Sequence, residues 1–124
     1  MRLKNVLLVN ALTSGATGLL LILFKTSVAQ LFGSATQWPF IAAGIFLVVF
    51  AIMVFAQSRK QQVSKGWVKL IIALDIMWVV ESAIILLPQL FGLTSVGYAL
   101  IGAVALWVAL MAFLQIKGLR QLSF

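Results

Sequence analysis

Residues 38–57 read WPFIAAGIFLVVFAIMVFAQ, twenty residues without a single charge. At 1.5 Å of rise per residue, such a helix is about 30 Å long, the thickness of a bilayer's hydrocarbon core. Trp38 opens the stretch, and an indole ring there favours the headgroup layer. Pro39 falls in the first turn, where a missing N–H costs nothing. Working outward, three further stretches have the same character: 6–24, 67–87 and 95–116. Trp67 marks the start of the third and Pro88 closes it, while Ser95 is placed to cap the fourth. The sequence therefore predicts an all-α membrane protein. It forms a single transmembrane domain over 1–124, a four-helix transmembrane bundle with short loops.

Composition supports the same solvent. Hydrophobic residues are 64% and charged residues 9%, against about 45–50% and 25% in ordinary globular chains. A soluble core of 124 residues could not hide that much apolar surface. Cysteine and histidine are both absent, and only two residues are acidic. These absences exclude a disulfide framework, thiolate or imidazole metal sites and an all-carboxylate metal cage. They also leave no nucleophile–base pair, so no enzyme and no cofactor are expected.

The cations assign the sides. Arg2 and Lys4 precede the first stretch, Arg59, Lys60, Lys65 and Lys69 surround the junction of the second and third, and Lys117 and Arg120 follow the fourth. All eight fall on one side, and Lys25 alone falls on the other. The positive-inside rule places both termini in the cytoplasm and the turns near Ser34 and Thr94 outside. The implied location is an integral position in a bacterial inner membrane. The net charge of +7 then expresses topology and contact with anionic lipid, because the cations are too few and scattered for nucleic acid. Residues 1–4, the apolar run and Ser27-Val28-Ala29 together resemble a secretory signal, but the run exceeds the usual apolar segment of one and is taken as a span.

A short repeat crosses the chain. Gln30-Leu31-Phe32-Gly33 recurs as Gln89-Leu90-Phe91-Gly92, each copy between an odd and an even stretch. The same offset aligns Leu47 with Leu106 and Val49 with Val108. Asn10 lies six residues past Lys4, as Asp75 lies six past Lys69. The pattern suggests a tandem repeat of two helical hairpins; a shared need for a glycine turn explains it equally well.

The residues that carry chemistry are the misplaced ones. Both acids, Asp75 and Glu81, fall inside the third stretch, where each costs about 2.5–3.5 kcal/mol on insertion. At 100° per residue they stand about 120° apart, with Trp78 between them and Ser82 near Asp75. Together with Asn10 of the first stretch, these residues are candidates for binding a proton or a small cation, with Trp78 and Trp107 as cation–π surfaces. The alternative is that the acids are interhelical glue, bonded to Ser82, Asn10, Thr13 or Ser14. Gly15 and Gly18 in the first stretch, and Gly102, Ala105 and Ala109 in the fourth, mark faces for close helix packing. The function expected is a proton- or cation-coupled transporter or channel. The alternative is a non-transporting accessory or structural subunit of a membrane complex. Four helices leave little interior for a path, so transport implies a homodimer, and the accessory role implies a partner membrane protein.

Overall fold

A computed structural model describes residues 3–34, 36–61, 64–87 and 92–122. These residues form five helices and no strand: α1 (Leu3–Leu23), α2 (Lys25–Phe32), α3 (Trp38–Ser58), α4 (Lys65–Leu86) and α5 (Ser95–Leu122). Among them α1, α3 and α5 are long and apolar enough to cross a membrane. Helix α4 matches them in length with 22 residues, but Lys65, Lys69, Asp75 and Glu81 interrupt its apolar character.

The extra helix comes from the segment after Leu23. Phe24 leaves the helical region (φ −113°, ψ 32°), yet the hydrogen bonds Phe24 N–H to Leu20 O and Val28 N–H to Phe24 O bridge the bend. The chain therefore turns without stopping, and α2 folds over the end of the molecule opposite the basic one. Its Phe32 packs on Gly97 of α5, where a Cβ would lie 3.0 Å from the ring, and meets Phe40 of α3 edge-on at 5.1 Å. Gly33 ends α2 in the left-handed region (φ 71°) and its N–H is satisfied by Gln30 O. Gly92 is also left-handed (φ 57°), so both glycines of the repeated peptide make the backbone reversal that glycine permits. Pro88 and the repeat residues 89–91 lie outside the described residues, as does Arg2. The cap of α5 differs by one position from expectation. Thr94, not Ser95, accepts the Gly97 N–H through Oγ1 at 3.0 Å. Thr94 also ties α5 to α2 by donating to Leu31 O at 2.7 Å.

The long helices pack as two antiparallel pairs, α1 with α3 and α4 with α5. The pairs join closely along α1 and α5 and only sparsely along α3 and α4. The tightest approach is between α1 and α3, where a Cβ on Gly18 would lie 2.8 Å from Gly44 O. Gly15 faces Ala51 with room for a Cβ, and a Cβ on Gly102 would likewise meet Leu86 only at ordinary contact distance. Ala105 and Ala109 are half-buried. The packing face of α1 is thus used inside one protomer, on a partner glycine that spacing within α1 could not reveal.

The core lies toward the end where α1 begins and α3 ends. It comprises Leu3, Leu7, Ala11, Phe50, Val54, Val68, Ile71 and Ile72. Outside it the usual distribution is inverted. Asn10, Gln57, Asp75, Ser82 and Gln115 are buried, while Leu12, Ile52, Leu106 and Phe113 are more than 60% exposed. Apolar exterior around a polar interior is the arrangement suited to hydrocarbon surroundings.

Candidate functional site

Helix α4 carries both acids, and the fold separates them. Asp75 lies near its mid-length, on the face turned toward α1 and α5, and is 4% exposed. Two amides converge on one of its oxygens. Gln115 Nε2 donates to Oδ2 at 2.8 Å and Asn10 Nδ2 donates to the same atom at 3.1 Å. Asn10 Nδ2 also donates to Gln115 Oε1 at 2.8 Å, and Ser14 Oγ donates to Asn10 Oδ1 at 3.0 Å. Three helices are therefore tied through one closed network of side chains, with Asn10 and Gln115 essentially without exposure. Each amide uses both its N–H and its carbonyl, and each donates to the Asp75 carboxyl group, bonds that count for more in a low-dielectric interior than in water. Chemically the network is a hydrogen-bonded clamp on a carboxyl group.

Glu81 has the opposite setting. Six residues further along α4 it lies about 120° around the helix, as the spacing predicts, and this rotation takes it out of the interior to an exposed position. It lines a cleft of about 260 Å³ with Ala43 and Phe46 of α3 and with Leu74, Met77 and Trp78 of α4. The cleft exists because α3 and α4 meet sparsely there. Trp78 and Phe46 stand nearly parallel across it, with centroids 6.2 Å apart and planes 11° from each other. Phe46 in turn stacks on buried Phe50 at 5.9 Å, which anchors the aromatic wall to the core. Five residues separate Glu81 from the end of α4 at Leu86, a depth of about 7–8 Å by helical rise.

The residues grouped by sequence thus fall into two sites. Asp75 and Asn10 share the sealed network, and Glu81 and Trp78 share the open cleft. Ser82 joins neither through its hydroxyl, which donates to Trp78 O at 2.8 Å, one turn back in its own helix. Thr13 likewise donates to Val9 O and Asn10 O within α1. Trp107 lies away from the acids, its indole N–H donating to Thr13 Oγ1 at 3.1 Å. The residue missed by sequence reasoning is Gln115. It follows Met111 and Ala112 at helical spacing on the buried face of α5, so continuing the small-residue stripe of that helix would have reached it. Phe46 carries no signal of its own in an apolar run, and only its place opposite Trp78 makes it part of the cleft.

Comparison with protein-family models, curated proteins and solved structures gives no match for the chain.

Proposed function

We propose that the chain is a four-span membrane bundle, with α4 as the fourth span, that couples a proton or a cation to transport through Glu81. The observation that carries this reading is the division of labour between the acids. Asp75 is closed off by two amides, whereas Glu81 remains open to a cleft bounded by aromatic rings. A carboxyl group on an otherwise apolar exterior costs insertion energy that a purely structural role does not recover. Asp75 then holds the helices in register. A bundle this narrow offers no enclosed path, so the working unit is a dimer or larger assembly in the inner membrane, with both termini cytoplasmic. The hairpin pairing α1/α3 and α4/α5 agrees with an origin by duplication. No enzymatic step belongs to this reading.

The test is proton flux into liposomes, followed with an entrapped pH-sensitive dye. Glu81→Gln keeps the shape of the side chain but cannot release a proton, and flux should fall to the protein-free background. Asp75→Asn should lower stability more than flux. Undiminished flux in Glu81→Gln would remove the coupled-transport reading. The same exposure of Glu81 favours a second reading, an accessory subunit whose Glu81 face is covered by a partner membrane protein. That reading expects no flux and a stable co-purifying complex that Glu81→Gln weakens.

A further inference from the structure

We propose that the α3–α4 cleft binds an ammonium group carried on an apolar body, with Glu81 as counter-ion and Trp78 and Phe46 as aromatic wall. This deepens, and rests on, the assignment of Glu81 as the ligand-facing acid. The lining is one carboxylate and five apolar side chains, which selects among charged ligands by elimination. An anion is repelled by Glu81. A bare metal ion requires several oxygen ligands, and the lining offers those of a single carboxylate. An alkylammonium is weakly hydrated, pairs with one carboxylate and presses its N–CH groups on ring faces, the contact that aromatic walls provide for such cations. The parallel rings of Trp78 and Phe46, with Glu81 one turn along α4 from Trp78, supply both halves of that recognition.

Size narrows the class further. The 260 Å³ of the cleft falls below the roughly 300–1,000 Å³ of pockets for drug-sized molecules. It admits a head group and its first carbons, and the rest of the ligand lies along the exterior, where Val49 and Val80 are exposed. The ligand is therefore an amphiphile that resides in the membrane. Its ammonium group has two sources, an amine-bearing phospholipid or a free amphiphilic amine.

The experiment places the full chain, labelled with ¹⁵N-tryptophan, in nanodiscs of phosphatidylglycerol, and follows the Trp78 indole N–H while benzyltrimethylammonium is added. Trp78→Phe assigns the signal, and the signals of Trp38, Trp67 and Trp107 report that each variant is folded. A saturable shift at Trp78 is expected with the cation and not with neopentylbenzene, its neutral isostere. Glu81→Gln should weaken binding about tenfold or more, since a carboxylate–cation pair in a low-dielectric cleft is lost. Phe46→Leu should weaken it severalfold, and Asp75→Asn should leave it unchanged. Equal binding of the neutral isostere, or unaltered affinity in both Glu81→Gln and Phe46→Leu, would overturn the proposal. Replacing half of the lipid by phosphatidylethanolamine separates the sources. Competition with benzyltrimethylammonium assigns the site to a lipid head group, and lack of competition assigns it to a free amphiphile. Glu81-dependent proton flux without ammonium binding would sink the ligand class and leave coupled transport standing. Binding abolished by Glu81→Gln, with no flux, would support the site and remove transport.

Discussion

Replacing Gln115 by leucine removes one of the two N–H donors to Asp75 Oδ2 and also the acceptor of Asn10 Nδ2. The carboxyl stays buried with half its bonds, so a loss of about 1–3 kcal/mol is expected, the usual penalty for an orphaned buried polar group. Unfolding in a detergent titration measures it. Asp75→Asn in the Gln115→Leu background should cost less than in the wild type, because the demand for donors is already unmet, and the double-mutant cycle should give a coupling of about 0.5–3 kcal/mol. Strict additivity would show that the network is not a unit. At this scale the sequence was half legible. Asp75 and Glu81 are conspicuous because acids are costly in an apolar helix, and their angular separation follows from spacing alone. Which of the two would be sealed did not follow, because Asp75 is sealed by Asn10 and Gln115, 65 and 40 positions away in the chain. A lone amide near a helix end carries little signal until the opposing helix is known.

Helix α1 is fixed by a backbone approach that tolerates no side chain. A Cβ at Gly18 would meet Gly44 O at 2.8 Å and Leu47 Cβ at 3.0 Å, whereas a Cβ at Gly15 would meet Ala51 Cβ at 3.4 Å. Gly18→Ala and Gly44→Ala should each destabilise by about 1–3 kcal/mol, as overpacking does. Gly15→Ala should be neutral or stabilising, since alanine is favoured over glycine in a helix by about 1 kcal/mol. Thermal unfolding in detergent checks the contrast, and equal effects at Gly15 and Gly18 would contradict the crossing point. Gly18→Leu should unfold the protomer and not merely separate protomers, because the contact lies within one chain. Helices α1, α3 and α5 were legible because an uninterrupted apolar run of this length has few other solutions. The bend at Phe24 was not, because Lys25, Thr26 and Ser27 read as the end of an apolar run, while the backbone bonds that carry the helix past them are indifferent to polarity. Helix α5 outruns its apolar stretch for the same reason, keeping Lys117 and Arg120 in its last turns, where long basic side chains can reach the polar layer.

Across the whole molecule, charge is segregated by end. Lys4, Arg59, Lys60, Lys65, Lys69, Lys117 and Arg120 belong to the end where α1 and α4 begin and α3 and α5 finish. Lys4 Nζ donates to Gln61 O at 2.9 Å, joining the start of α1 to the turn after α3. Lys25 lies at the other end. Each cation near an anionic leaflet contributes about 1 kcal/mol, and with Arg2 the sequence sets eight against one, so the positive-inside rule expects the basic end in the cytoplasm. The chain has no cysteine, and single cysteines therefore report cleanly. Ser34→Cys should react with a membrane-impermeant maleimide added outside intact cells, and Gln61→Cys only after permeabilisation. The reverse pattern would overturn the orientation. Changing Arg59, Lys60 and Lys65 together to glutamine leaves five cations in the sequence, Arg2 included, against one, a weaker but unaltered sign. Labelling should then remain predominantly at Ser34→Cys, with a minor inverted fraction appearing at Gln61→Cys. Complete inversion in that variant would mean that something other than the loop cations sets the orientation.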